Sequence, residues 1–166
     1  MSDVSSGPGR ADSETPICAL GASAGGLSAL RTFFEKVEPD LGLAFVAVMH
    51  LAPDHPSALA EILAAVTSMP VETVRTAAVL KPNHVYVTPP GQELVIDADR
   101  VRAASFVEPR GRRNPIDRLF ESIAVQRGDG VVIVLSGEGS DGAAGARAVK
   151  ETGGLVLAQD PGEAEH

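Results

Sequence analysis

A serine, a histidine and an aspartate each follow an apolar segment of the kind that forms a buried strand. Ser23 follows ICALGA, His50 follows LAFVAVM, and Asp141 comes shortly after VVIVLS. These residue types can act as the nucleophile, the general base and the orienting carboxylate of an acyl-transfer reaction. Their order along the chain is Ser, His, Asp, whereas the α/β-hydrolases have Ser, Asp, His. The sequence therefore predicts acyl-transfer chemistry on a different α/β arrangement.

Each of the three residues also has a purely structural explanation. GASAG places Ser23 in a G-x-S-x-G pattern between a predicted strand and a predicted helix, but a phosphate-binding turn or a plain tight turn would use the same glycines. Taken alone, His50 is interpreted as a histidine that caps a strand, and Asp141 as a helix N-cap. Three such residues after three separate strands favour a catalytic site, because parallel sheets place their sites at the carboxyl ends of the strands.

Short apolar runs alternate with amphipathic stretches from Pro16 onward, which is typical of an α/β fold with a largely parallel sheet. Near-continuous apolar runs predict three central strands, at Ile17–Gly21, Leu43–Met49 and Val131–Ser136. Apolar residues at three- and four-residue spacing predict four helices, at Gly25–Val37, Pro56–Ser68, Pro115–Gln126 and Gly142–Thr152. We expect these helices, which alternate with the strands along the chain, to cover the faces of the sheet.

Residues 71–107 follow a different pattern, with short alternating segments in place of long apolar runs. The segments HVYVTP, ELVID and VRAAS, with the turn DADR between the last two, predict a β-hairpin region at one edge of the sheet or beside it. The last strand-like segment, GLVLAQD, is followed by only a few residues. We therefore expect a domain that is truncated at its C-terminus.

The composition restricts the class of protein. A chain of 166 residues with 44% hydrophobic and 22% charged residues is typical of one globular domain. No apolar run approaches the roughly 20 residues that span a bilayer, so we expect no membrane insertion. The formal net charge of -8 disfavours nonspecific binding to nucleic acid. We interpret residues 1–15 as a flexible leader and residues 16–166 as the folded domain.

The single cysteine and the other histidines suggest no further chemistry. Cys18 lies in a predicted strand, so we expect a small buried hydrophobe and a reducing, cytoplasmic setting. His55 precedes a predicted helix and His84 begins a strand-like segment, and neither has the spacing of a metal ligand. No metal site is predicted.

Three motifs in register carry a resemblance to a known family. GASAGG, MHLAPDHPS and LSGEGSDGAAG, together with NPIDRLFESIA and LAQDP, resemble the catalytic domain of CheB-type protein-glutamate methylesterases. The resemblance implies a doubly wound, mostly parallel sheet with helices on both faces. It implies hydrolysis of glutamyl methyl esters on the cytoplasmic signalling helices of methylated chemoreceptors, with release of methanol, and often deamidation of receptor glutamines. Ser23, His50 and Asp141 fall on the family's triad positions, and no cofactor is implied.

The sequence also departs from the family pattern. Glu138 stands where the family usually has Met or Thr, near the oxyanion region, for which Ala24 is the other candidate. A carboxylate aimed at an oxyanion would oppose catalysis, whereas one turned to solvent would be harmless. The family often carries a phosphorylated receiver domain or a fused CheR-type methyltransferase. The leader is too short for a receiver, so we expect no phosphorylation control here, and a fragment of such a fusion fits the sequence.

Two alternatives to an active esterase stay open. The first is a degenerate domain that binds receptors or partners without chemistry, which Glu138 and the short C-terminal end would explain. The second is a nucleotide-binding module, although the chain has neither G-x-G-x-x-G nor a Walker lysine. The basic loop EPRGRRNP is interpreted either as a surface that steers the acidic protein towards acidic receptor helices or as a solvated loop.

Overall fold

The computed structural model describes residues 14–49, 58–109, 111–135 and 140–159, in which nine strands and four helices form two sheets with their covering layers. The strands are β1 (Ile17–Ala22), β2 (Ala44–Met49), β3 (Val71–Thr73), β4 (Ala77–Val79), β5 (His84–Val87), β6 (Gln92–Asp97), β7 (Arg100–Ser105), β8 (Val131–Val134) and β9 (Leu155–Ala158). The helices are α1 (Leu27–Lys36), α2 (Leu59–Ala64), α3 (Pro115–Gln126) and α4 (Ala143–Glu151).

The larger sheet has six parallel strands in the order β3, β5, β2, β1, β8, β9. The chain builds the sheet outward from β1 in both directions, first through β2 and later through β8. A doubly wound sheet has a crevice where this direction reverses, at the carboxyl ends of the strands. The reversal here lies between β1 and β8, where Gly21 pairs with Val134.

Helices cover both faces of the parallel sheet, as the sequence predicts. One hydrophobic cluster joins α1 and α2 to one face, and it includes the edge-to-face aromatic contact between Phe34 and Phe45, whose ring centroids lie 5.6 Å apart. A second cluster joins α3 and α4 to the other face. Every residue of β1 and β2 is buried, which explains why these segments read as continuous apolar runs.

The second sheet is antiparallel, in the order β4, β7, β6, and it packs on the outer side of α3. The β6–β7 hairpin confirms the hairpin predicted for ELVID and VRAAS. Its backbone is tied to α3 by the Ile96 N–H group, which donates to Ser122 Oγ at 2.9 Å. Helix α3 is therefore enclosed between the two sheets, and six of its residues are buried.

Two sequence-based expectations were wrong. HVYV belongs to β5, an internal strand of the parallel sheet, because Val85, Tyr86 and Val87 are buried on both faces and are not half of a hairpin. The second helix ends at Ala64 instead of continuing to residue 68. Its last predicted turn is replaced by a local turn in which the Met69 N–H group donates to Thr67 Oγ1 at 3.2 Å, ahead of Pro70.

The other predicted elements are confirmed within a residue or two. Helix α3 has the predicted bounds, and β8 ends at Val134, before Ser136, which lies outside the described residues. The predicted start of the second helix also lies outside them. None of the helices in the described ranges is long and apolar enough to cross a membrane.

Candidate active site

Ser23 lies at the carboxyl end of β1, directly before a helix, as predicted. Its backbone is extended (φ -81°, ψ 175°), and the next residues, Ala24–Gly26, form a single 3₁₀ turn that leads into α1. The Gly26 N–H group donates to the Ser23 carbonyl at 2.8 Å and closes this turn. The serine side chain makes no capping hydrogen bond to the turn, and the residue is half-buried. The local geometry is therefore that of a strand, a serine and a helix in immediate succession.

The neighbouring strand β2 ends beside Ser23. Its last residue, Met49, pairs with Ala22, the last residue of β1. His50, the predicted general base, lies outside the described residues, as do His55 and Glu138. The backbone of Ala24 is described, at the start of the 3₁₀ turn.

Asp141 is held at the N-terminus of α3. Its carboxylate accepts a hydrogen bond from the Asp117 N–H group at 2.8 Å and another from the Ile116 N–H group at 3.1 Å. The sequence-based alternative, a simple cap of the helix that follows Asp141, was wrong in its partner: α4 has Gly142 as its N-cap, without a side-chain hydrogen bond. Asp141 therefore joins the loop after β8 to a helix more than twenty positions earlier in the chain.

Asp117 makes the reciprocal contact. Its Oδ1 atom accepts hydrogen bonds from the Gly145 N–H group at 2.7 Å and from the Gly142 N–H group at 2.9 Å; Gly142 is the N-cap of α4 and Gly145 lies in its first turn. Asp141 thus accepts from N–H groups at the start of α3, the helix that contains Asp117, and Asp117 accepts from N–H groups at the start of α4, the helix that follows Asp141. These N–H groups have no acceptor within their own helix. We call this pair of two-hydrogen-bond contacts the carboxylate clasp.

Ile116 connects the end of β1 to the clasp. A Cβ atom on Gly21 would overlap Ile116 Cγ2, so only glycine allows α3 to lie this close to the strand. The same Cγ2 atom also faces Gly142, where an added Cβ would lie 3.1 Å from it. Since the Ile116 amide also donates to Asp141, one residue contacts both the strand that carries Ser23 and the loop that carries Asp141.

Gly21, Ile116 and Asp117 were not singled out from the sequence. NPIDRLF was identified only as part of the family resemblance, and an acidic residue in the first turn of a helix is common for dipole reasons alone. The two glycines of GAAG, Gly142 and Gly145, could have indicated that another helix packs closely against this one. The sequence does not show which helix that is.

The remaining candidates lie away from this edge. His84 begins β5 and pairs with Ala44 at the amino end of β2, and its Nδ1 atom lies 2.9 Å from the Pro82 carbonyl oxygen. Cys18 is buried within β1, and burial raises the pKa of its thiol to about 12, so it is the inert small hydrophobe that was expected. In the described residues, no group of three His, Cys, Asp or Glu side chains could hold a metal ion.

The basic loop is partly ordered by its own contacts. The Arg113 guanidinium lies 4.4 Å from the centroid of the Phe106 ring, and its Nε atom donates to the Glu108 carbonyl at 3.0 Å. A cation placed over an aromatic face in this way packs the loop against the end of β7. Arg113 therefore has a structural contact within the loop, while Arg112 is exposed.

Comparisons with known proteins point to a single family. The protein-family model that is described as CheB methylesterase matches residues 18–166. A relative from Leptospira interrogans, provisionally named a protein-glutamate methylesterase/protein-glutamine glutaminase, is 32% identical over 148 residues, which are 88% of this chain and 77% of the relative. A protein-glutamate methylesterase/protein-glutamine glutaminase of Geobacillus kaustophilus is 36% identical over 142 residues, which are 82% of this chain but only 41% of that relative.

A solved structure has the same fold. The crystal structure of the Thermotoga maritima CheB methylesterase catalytic domain matches with a TM-score of 0.81 and 24% sequence identity, over 91% of this chain and 82% of that chain. At this level of identity the match concerns the architecture, which is the doubly wound sheet expected from the motifs.

Proposed function

The chain belongs to the CheB methylesterase family, and from that premise we propose that it hydrolyses glutamyl methyl esters on the cytoplasmic signalling helices of chemoreceptors. The products are methanol and a receptor glutamate, which is the demethylation step of chemotactic adaptation. The same chemistry applied to a receptor glutamine releases ammonia in place of methanol. Both reactions transfer an acyl group from a receptor side chain to water.

The proposed mechanism uses Ser23, His50 and Asp141. His50 takes the proton from Ser23 Oγ as this oxygen attacks the ester carbonyl, and Asp141 orients and stabilises the resulting imidazolium. The amide of Ala24 donates to the oxyanion, as the residue after the nucleophile does in comparable strand-to-helix turns. His50 then gives its proton to the departing methanol. A water molecule, deprotonated by the same histidine, cleaves the acyl-serine and restores the enzyme.

The observation that carries this proposal is the contact of Ile116 with both sides of the switch point. Ile116 packs on Gly21, two residues before Ser23, while its amide donates to Asp141. The Asp141 carboxylate is thereby tied to the end of β1, two residues before Ser23, at the edge where doubly wound sheets bind their substrates, and this supports a shared site. The pairing of Met49 with Ala22 brings the end of β2, the strand that precedes His50, to the same crevice.

The cellular setting is part of the proposal. Chemoreceptor signalling helices lie in the cytoplasm, so the enzyme acts there, and its partners are the methylated receptor domains. A CheR-type methyltransferase forms these esters by transferring a methyl group from a donor to the receptor glutamate, since every methyl ester that is hydrolysed must first be formed. Such a methyltransferase is therefore a functional partner of this chain.

Methanol release tests the proposal directly. Chemoreceptor membranes carrying tritiated methyl esters are incubated with the purified chain, with Ser23→Ala, and with Ser105→Ala as a matched control at an exposed serine of β7. We expect release by the chain and by Ser105→Ala, and a loss of roughly 10³-fold or more in Ser23→Ala.

Two results would contradict the proposal. Equal turnover in Ser23→Ala would remove the serine from the mechanism. Receptor binding by a folded chain that releases no methanol would instead identify a degenerate binding domain. Circular dichroism and a thermal melt of each variant establish that it is folded before its rate is interpreted.

A further inference from the structure

We propose that Asp117 is a positioning residue for the reaction, holding Asp141 in place through the carboxylate clasp. This inference rests on the proposed function, since it concerns the carboxylate of the proposed triad. Asp117 does not touch the reacting atoms. Its N–H group holds the Asp141 side chain, and its carboxylate holds the backbone at Gly142, directly after Asp141.

The two hydrogen bonds accepted by Asp117 lock the start of α4. Oδ1 binds the amide of Gly142, the residue directly after Asp141, and the amide of Gly145, one turn further along. Gly142 has a left-handed backbone (φ 106°) and precedes the first helical residue of α4. The helix therefore does not fix the direction of its N–H group, and a hydrogen-bond acceptor from elsewhere in the chain must do so. Asp117 supplies that partner.

The contact in the opposite direction makes the two aspartates interdependent. The Asp117 N–H group donates to Asp141 Oδ1 at 2.8 Å, so the backbone of Asp117 holds the Asp141 side chain while the Asp117 side chain holds the backbone next to Asp141. Close packing supports this geometry. A Cβ atom on Gly145 would lie 2.6 Å from Phe120 Cβ and 3.0 Å from the Asp117 backbone, so the helices approach as closely as a glycine allows.

Loss of the Asp117 carboxylate would free one end of this arrangement. Asp141 would keep its own hydrogen bonds to α3, but the backbone that carries it could move. Displacement of a catalytic group by about 1 Å can cost roughly 10²-fold in rate. The imidazolium of His50 would also lose part of its stabilisation, which moves the acid limb of the pH profile to lower pH because the histidine then deprotonates more readily.

The test compares Asp117→Ala, Asp117→Asn and Glu121→Ala in methanol release from methylated receptor membranes. Glu121 is the matched control, because it is an exposed acidic residue one turn further along α3. Asn keeps an oxygen acceptor but forms weaker, uncharged hydrogen bonds. The readouts are kcat and KM per folded molecule and the midpoint of the acid limb of kcat/KM.

The expected result is a fall in kcat of roughly 10- to 100-fold in Asp117→Ala with KM nearly unchanged, and an acid limb shifted down by roughly one pH unit. Asp117→Asn should lie between Asp117→Ala and the unmodified chain, and Glu121→Ala should match the unmodified chain. If Asp117→Ala does not fold, Asp117→Asn carries the test, with the same directions expected.

A purely structural role gives a different result. The melting temperature of Asp117→Ala or Asp117→Asn would fall, while kcat per folded molecule and the acid limb stayed at their original values, and this would overturn the inference. Ser23→Ala separates the two proposals. If Ser23→Ala is inactive and the Asp117 variants keep the original kinetics, the proposed function stands and only this inference fails.

Discussion

At the residue scale, the contact between Gly21 and Ile116 joins the end of β1 to the N-terminus of α3, which binds Asp141. We expect Gly21→Ala to lower the free energy of unfolding by about 1–3 kcal/mol, because the added methyl group overlaps Ile116 Cγ2 in a closely packed core. Methanol release should fall as well, since the same overlap pushes α3 and its bound Asp141 away from β1.

A double-mutant cycle checks the cause of this effect. Ile116→Ala alone should cost about 2–5 kcal/mol as a buried truncation. Combined with Gly21→Ala, it should cost less than the sum of the two single changes, because the overlapping Cγ2 atom is gone. Additive costs, measured by urea unfolding, would mean that the two residues do not constrain one another.

Cys18 gives a second prediction at this scale. Because burial raises the pKa of its thiol to about 12, the reactive thiolate is almost absent at pH 8 in the folded protein. Alkylation by iodoacetamide should therefore be at least roughly 100-fold slower in buffer than in 8 M urea, as measured by intact mass. Equal rates in the two solvents would contradict the buried position of this strand residue.

The sequence predicted Ser23 and Asp141 because each follows an apolar run and stands in a glycine-rich turn, and both signals are local. Asp117 could not be predicted in the same way. Its partners, Gly142 and Gly145, lie 25 and 28 positions away, and their amides acquire a role only once α3 and α4 are packed together. Contacts over such separations leave no periodic trace in one sequence.

At the element scale, the spacing between α3 and α4 depends on Gly145. We expect Gly145→Ala to destabilise the fold by about 1–3 kcal/mol, because the new Cβ atom would meet Phe120 and the Asp117 backbone. Ala144→Ser is the matched control at the neighbouring exposed position, where we expect a change within about 0.5 kcal/mol. Thermal or urea unfolding of both variants measures the difference, and equal stabilities would contradict the close helix approach.

The packing of β6 on α3 gives a pH-dependent prediction. Glu93 is buried at this contact, with its Oε1 atom 3.5 Å from Arg118 Nε. Burial raises the pKa of Glu93, and Arg118 offsets part of that rise. A carboxyl group with a raised folded pKa contributes most stability below its unfolded value of about 4.3, and this contribution is lost as the pH rises through the folded value.

Glu93→Gln should therefore gain stability relative to the unmodified chain as the pH is raised from 4 to 7.5, because the amide has no charge to desolvate. Urea unfolding at the two pH values measures this relative change. Asp97→Asn, an exposed carboxylate at the end of the same strand, is the control that should show a smaller change. A relative loss for Glu93→Gln at pH 7.5 would mean that the pairing with Arg118 outweighs the burial.

The elements themselves were predicted with uneven success for physical reasons. Helix α3 was predicted with its observed bounds, because Pro115 suits a first helical turn and its apolar face is regular. The segment HVYV was assigned to the hairpin region, since four residues are too few to separate a half-buried strand from a fully buried one. Its place between β3 and β2 depends on strand pairing that no local pattern records.

At the scale of the whole molecule, the position of the proposed site follows from the winding of the sheet. Strands added on both sides of β1 create a switch point, where the end of β1 pairs with the end of β8 through Gly21 and Val134. The sequence predicted the largely parallel α/β sheet because apolar runs alternate with amphipathic stretches, and the catalytic roles of the residues that follow those runs stay predictions. The antiparallel sheet encloses α3, whose N-terminus binds Asp141.

Ser23 and Asp141 are proposed to act in one catalytic unit, and a kinetic double-mutant cycle tests this. Methanol release is measured for the chain, Ser23→Ala, Asp141→Ala and the double variant. In a unit that acts together, the second substitution removes little that the first has not already removed. We expect the double variant to be no slower than Ser23→Ala alone. A double variant slowed further by the full factor of Asp141→Ala would contradict it.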